Sequence, residues 1–162
     1  MKSLQVTNFV LIGIFSWGVI SGCAASKNST EMLPGKSQER FKVQGREICI
    51  DSRTGKMWQK GKECGFHSYE DAQQYVNNLQ LGGYSDWRLP TKFELFDLHN
   101  VFFLKKNGNC TMKRTGEYWS TDKKDTPALG HWETYHLCGP GFKYVKSVGS
   151  KGYVRAIRQT KD

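Results

Sequence analysis

From residue 41 the chain alternates apolar and polar positions. In FKVQGREICIDSRTGKMWQ, Phe41 and Val43 lie on one side of a first run and Ile48 and Ile50 on one side of a second. A period of two marks half-buried strands, DSRTG has turn composition, and KMW begins a return, so this stretch predicts a hairpin. The period then lengthens. In HSYEDAQQYVNNLQLGG, Ala72, Tyr75, Val76 and Leu79 fall on one helical face, with Ser68 as N-cap and Asp71 three residues on. Gly82-Gly83 reads as its stop. SDWRLPTKFEL opens a second helix: Thr91 and Glu94 have the spacing of a capping box, and Phe93, Leu95, Phe96 and Leu98 make it broadly apolar.

Past Asn100 the pattern breaks into loops and short strands. EYWSTD (117–122) and HWETYHL (131–137) alternate. DKKDTPALG between them reads as a turn-rich loop, and CGPGFKYVKSVGSKG as a Gly-rich basic one. YVRAIRQ (153–159) reads as the last strand, with Ile157 breaking strict alternation. The order predicts an α+β fold, with two short helices packed on a small antiparallel sheet with long loops.

The N-terminal region has another character. Met1-Lys2 precedes an apolar run at 9–20, FVLIGIFSWGVI, of signal-peptide length and short for a membrane span. ISGC, ending at Cys23, resembles the lipobox of bacterial lipoproteins. That resemblance implies cleavage before Cys23 and acylation (palmitate among the chains) of Cys23, which would hold the protein on a membrane. The rival is an ordinary secretory signal that contains a cysteine. Ala24, where an Asp would favour inner-membrane retention, points to the outer membrane. Residues 1–22 are thus expected to be a signal peptide, 23–40 a polar flexible tether, and 41–160 the folded domain.

Export changes how the other cysteines are read. Cys49, Cys64, Cys110 and Cys138 make an even set suited to two disulfides, and three pairings exist. Cys49–Cys64 and Cys110–Cys138 are expected, because each closes a moderate local loop. No C-x-x-C or H-x-x-x-H spacing exists, so no metal site is expected.

Several segments together resemble the Lcl C-terminal domain family, named for a Legionella collagen-like adhesin. DSRTGKMWQ, YEDAQQYVNNLQLGGYSDWRLPTKFEL, EYWSTD and GYVRAIR stand in that family's order across about residues 41–159. G-x-x-D-W-R-L-P-T-x-x-E-L is the most specific element. The resemblance implies a C-type-lectin-like fold and a binding scaffold of exported and surface proteins. It also implies a distant kinship with formylglycine-generating enzymes, which carry R-L-P-T-x-x-E-W and bind copper through closely placed cysteines. The nearest cysteines here are Cys49 and Cys64, so that activity is not carried over. The E-P-N, Q-P-D and W-N-D segments of calcium-dependent lectins are absent. No cofactor is expected.

Within the signature, Trp87, Arg88, Leu89, Pro90, Thr91 and Glu94 each have a structural task. Trp87 and Leu89 suit the core, as do Trp58 and Trp119. Pro90 holds Leu89 extended. Arg88 can tie buried carbonyls or pair with Asp86. His67, His99, His131 and His136 are scattered, and no free thiol is expected beside them, so no catalytic residue is assigned.

The net charge of +9 favours polyanionic partners. Lys105, Lys106, Lys113, Arg114, Lys123, Lys124, Lys143 and Lys146, with Trp132 and Tyr144, are the candidate ligand contacts, on predicted loops at 104–116, 122–131 and 139–151. Cations of this kind pair with sulfate, phosphate or carboxylate, and aromatic rings stack on sugars. The expected function is non-catalytic binding of an anionic glycan, an envelope polymer or a protein. The alternative is an accessory subunit of an envelope assembly. No nucleic-acid motif is present, and nothing in the pattern specifies an oligomeric state.

Overall fold

The computed structural model describes residues 39–122, 126–137 and 139–160, with Cys64 as backbone only. The first alternating stretch yields three strands, β1 (Phe41–Gln44), β2 (Ile48–Asp51) and β3 (Lys56–Gln59). A fourth, β4 (Glu63–Phe66), follows before helix α1 (Tyr69–Asn78) and helix α2 (Lys92–Phe103). Five more strands complete the order: β5 (Tyr118–Thr121), β6 (Pro127–His136), β7 (Pro140–Lys146), β8 (Gly152–Val154) and β9 (Ile157–Gln159). They form two sheets, β1-β2-β3-β9 and β4-β8-β5-β6-β7. The first is antiparallel, and the second is mixed, because β5 and β8 run parallel. The fold is α+β, with two sheets where one small antiparallel sheet was expected.

The two sheets share a pair of chain segments. β3 runs on into β4, and β8 into β9, and these pair antiparallel in both sheets. The expected last strand is therefore two strands, split at Arg155-Ala156. The split explains why Ile157 breaks the alternation. Arg155, 1% exposed, sits at the corner. Its guanidinium donates to the carbonyls of Gln59 (2.8 Å), Lys60 (2.6 Å), Gly61 (2.9 Å) and Lys113 (2.7 Å). The Gln59 side chain accepts from the Ala156 N–H at 3.0 Å and donates to the Tyr75 hydroxyl at 2.8 Å. A sharp bend breaks ladder hydrogen bonds, and buried carbonyls need other donors. One planar, five-donor side chain supplies them.

Alternation along the strands separates two cores. Ile48, Met57, Trp119 and Ala156 pack with Ala72 and Val76 of α1, along with Trp87 and Leu89. Their neighbours Cys49, Trp58, Tyr118 and Ile157 pack with Leu95, Leu98 and Val101 of α2. Trp58, Trp87 and Trp119 are all buried, as expected. The second core holds a disulfide between Cys49 and Cys110. This overturns both expected pairs, Cys49–Cys64 and Cys110–Cys138. Short loops were the wrong criterion: Cys49 and Cys110, 61 residues apart, both face the core beneath α2 and are fully buried. Cys138 and the side chain of Cys64 lie outside the described residues, as does Cys23.

One local expectation changes. Gly82-Gly83 does not stop α1, which ends at the C-cap Leu79, whose N–H donates to Val76. The glycines (φ 63° and 82°) form a tight turn in which Leu81 and Tyr84 exchange both backbone hydrogen bonds at 3.1 Å. A side chain at Gly82 would meet Ile48 Cδ1 at 2.2 Å. Arg40 donates to both Asp51 and Asp97, and Asp51 in turn accepts from the Arg53 N–H and the Thr54 hydroxyl of the DSRTG turn.

Candidate functional site

SDWRLPTKFEL joins the two cores. Trp87 is buried, and its indole N–H donates to the carbonyls of Tyr84 (3.1 Å) and Leu81 (3.3 Å). Arg88 and Ile157 exchange backbone hydrogen bonds, which extends the first sheet by one bridge. Pro90 offers its carbonyl to the Thr121 N–H at 2.9 Å. The capping box forms as expected: Glu94 N–H donates to Thr91 Oγ1 (3.1 Å), and Glu94 accepts from the Thr91 N–H (2.8 Å). Glu94 also takes two hydrogen bonds from Arg88 (2.8 and 2.7 Å) and an ion pair from Lys56 (2.9 Å). Burial pushes its carboxyl up, but Arg88, Lys56 and the Thr91 N–H together hold it down at about 2. Arg88 thus pairs with Glu94 and with the Leu89 carbonyl, whereas Asp86 pairs with Arg158 (2.6 Å). Every side chain of the signature is accounted for by the fold.

A cleft of about 300 Å³ opens beside this scaffold, between α2, the 111–117 segment and the start of β6. Leu95 and Leu98 of α2, with Tyr118, supply apolar surface. His99, Arg114, His131 and Trp132 supply chemistry. Trp132 is fixed by its indole N–H, which donates to the Lys92 carbonyl at 2.8 Å, and by ring contacts to Phe96 and Tyr144. The Arg114 guanidinium lies over Phe102 at 4.7 Å.

The two imidazoles differ in charge. His131 Nδ1 is 3.0 Å from Glu117 and its Nε2 is 3.0 Å from Glu133. A neutral imidazole has one N–H and one lone pair, so two carboxylates at its two nitrogens require the imidazolium. Partial burial lowers its pKa, but Glu117 and Glu133 outweigh that and raise it. His99 instead faces Thr134 Oγ1 at 3.0 Å and the edge of Phe142. Burial, then Arg114 and His131, pull its pKa down, so it is neutral at pH 7. The cleft is therefore lined by Arg114, Arg155 and His131 beside aromatic rings, with the charge of His131 offset by Glu117 and Glu133. No group of three or more His, Cys, Asp or Glu suited to a metal exists among the described residues.

The structure divides the expected contact residues. Arg114 and Trp132 come together in the cleft. Tyr144 meets Trp132 edge to face without lining the cleft. Lys143 pairs with Glu133 at 3.2 Å, and Lys146 is exposed, both on β7. Lys113 is exposed, while its carbonyl serves Arg155 and Tyr118. Lys105 and Lys106 lie past the end of α2. Lys123 and Lys124 lie outside the described residues. Of the three expected loops, 104–116 is a loop, whereas 122–131 and 139–151 contribute to β6 and β7. His99 and His131, 32 positions apart in sequence, were read as scattered. Alternation along β6 puts Trp132 and Thr134 on the side of α2 and His99, but His131 on the opposite side with Glu117 and Glu133, so it gave no signal joining the two imidazoles.

Compared with protein-family models, residues 47–158 match the Lcl C-terminal domain. Comparisons with curated proteins and with solved structures find no match. The matched span covers well over half of the chain, and the DWRLPT signature, both helices and the strands that frame the cleft fall inside it. On these grounds the chain belongs to the Lcl C-terminal domain family.

Proposed function

We propose that this protein is a lipid-anchored, non-catalytic binding protein of the bacterial envelope. Its C-type-lectin-like domain takes an anionic glycan or envelope polymer in the cleft beside α2. Cys23 carries the acyl anchor, and the outer membrane is the site of attachment. The supporting observation is the cleft itself, where Arg114 and the imidazolium of His131 flank Trp132 and Tyr118. Aromatic rings stack on the apolar face of a sugar, and a planar guanidinium matches carboxylate or sulfate oxygens. His131 is locked between two carboxylates, which suits it to a fixed charge rather than to proton transfer.

The test is titration of the mature chain with polygalacturonate against neutral dextran. Binding should favour the polyanion, weaken with added salt and fall about tenfold in Arg114→Ala, as expected for one charge-assisted contact. Equal binding of dextran, or an unaffected Arg114→Ala, would reject the cleft. Salt-insensitive co-purification with one fixed protein would favour the accessory-subunit reading. Protease shaving of intact cells, with a periplasmic control protein, decides which side of the membrane the domain faces.

A further inference from the structure

The end of α2 carries an anomaly. The helix closes with Lys105 N–H donating to the Phe102 carbonyl (3.1 Å) and Lys106 N–H to the Val101 carbonyl (2.9 Å). That hydrogen-bond pattern places the first residue after the cap in the left-handed region, where glycine is favoured. Lys105 occupies it at φ 54°, and among the described residues it is the sole non-glycine with positive φ. A side chain there costs about 1 kcal/mol. Such a residue persists where its side chain has a use.

Its surroundings suggest the use. Lys105 follows Leu104, which is 48% exposed, whereas the Phe103 ring meets Phe142 of β7 at 5.3 Å. Lys42, Arg53, Leu104 and Lys106 line one depression of about 490 Å³. Asp51 and Asp97 beside it are occupied by Arg40 and Arg53. Glu39 is the remaining acid on that depression. Lys42, Lys105 and Lys106 have no acidic partner among the described residues. This depression and the cleft proposed for glycan have no lining residue in common.

The chain also enters the domain here. Arg40 N–H donates to the Lys106 carbonyl at 2.8 Å, so the segment leading back to Cys23 leaves the domain beside the lysine pair. Sixteen residues, 23–38, lead from Cys23 to Glu39, a reach of at most about 55 Å. An anchored domain is thereby held at high effective concentration near the bilayer, where a weak patch suffices.

We propose that the face formed by Leu104, Lys105, Lys106, Lys42 and Arg53 docks on an anionic lipid surface, orienting the glycan cleft relative to the membrane. The proposal rests on the anchor at Cys23. Basic side chains pair with lipid phosphates, and Leu104 enters the headgroup boundary.

The test uses the mature chain from residue 23 with Cys23→Ser, so that no acyl chain contributes. It is co-sedimented with phosphatidylglycerol–phosphatidylcholine vesicles and with phosphatidylcholine alone. Binding should require the anionic lipid and weaken with salt. Lys105→Gly/Lys106→Gln should bind about 30-fold more weakly, at about fivefold per basic residue lost. It should unfold no lower than the parent, because glycine relieves the left-handed position; Lys106→Gln alone should lose about fivefold with no backbone change. Lys143→Gln/Lys146→Gln, with the same charge removed from β7, should bind as the parent does. Equal loss in both double variants, or none in the first, overturns the proposal. So does loss of polygalacturonate binding in the first with vesicle binding intact, which would make the face a glycan site. Mass spectrometry of Cys23 in protein extracted from bacterial membranes reports the anchor separately.

Discussion

Glu94→Gln isolates the charge at the junction of the two cores. The carboxylate accepts from Arg88, Lys56 and the Thr91 N–H, and its pKa is held at about 2 against an ordinary 4.5. A depression of that size corresponds to about 3 kcal/mol favouring the folded state. Arg88 is about half exposed (45%), so solvent screens its share and about 2 kcal/mol is the better figure. Glutamine retains the volume and the acceptor for the Thr91 N–H, so the capping box survives and the ion pairs are lost. The variant should unfold about 8 °C below the parent at neutral pH, at about 4 °C per kcal/mol for a domain of this size. Because the folded pKa lies below the unfolded one, the contribution is complete above about pH 5 and disappears as pH falls through the folded value near 2. Urea unfolding followed by the fluorescence of Trp58, Trp87 and Trp119, with the disulfide kept oxidised, measures the difference. The gap between parent and variant should close from about pH 5 to about pH 2. A gap of constant size across that range would refute the reasoning, since a steric cost does not titrate.

Cys110→Ser should lower stability by about 4 kcal/mol, from the chain-entropy cost of freeing a loop of this length, and non-reduced peptide mapping should find Cys49 joined to Cys110 in the parent. Arg155→Met removes the guanidinium from the carbonyls of Gln59, Lys60 and Gly61, while the Lys113 carbonyl keeps the Tyr118 hydroxyl, and should cost about 3 kcal/mol or more in chemical denaturation; Arg155→Lys should rescue little, because one ammonium cannot reproduce the planar fork. The His131 pKa is raised, so its ion pairs contribute fully below 6.5 and are lost as pH rises through the folded value. His131→Gln should therefore differ from the parent most in mild acid and converge with it in alkali, and an imidazole titration midpoint at or below 6.5 in the NMR spectrum would contradict the Glu117–His131–Glu133 geometry.

Much of the fold was legible where one local rule acted alone. Thr91 and Glu94 three residues apart, or Ser68 and Asp71, announce their helix starts because a cap is satisfied within one turn. β7 was missed because Gly139, Pro140 and Gly141 carry turn composition, while the pairing of Phe142 and Tyr144 with Thr134 and Trp132 across the hairpin makes the strand. The disulfide was missed for a similar reason. Loop length is local, but the meeting of Cys49 and Cys110 depends on which face of β2 turns toward α2. At the candidate site, Arg114 and Trp132 could be nominated from residue type. His99 and His131 could not, since their opposite protonation states depend on Thr134, Glu117 and Glu133, brought near by strand register.

The corner at Arg155 also bears on when the protein can fold. β8 and β9, the segment 152–159, are interior or partner strands in both sheets: β9 closes the first on β3, and β8 lies between β4 and β5 in the second. A ribosome delivers this segment after every other element. Until it arrives, Trp58 has no Ile157 across from it, β4 has no neighbour, and the carbonyls of Gln59, Lys60 and Gly61 have no guanidinium. Non-local closure of this kind makes folding slow and all-or-none. Neither sheet can be completed until residues 152–159 have emerged.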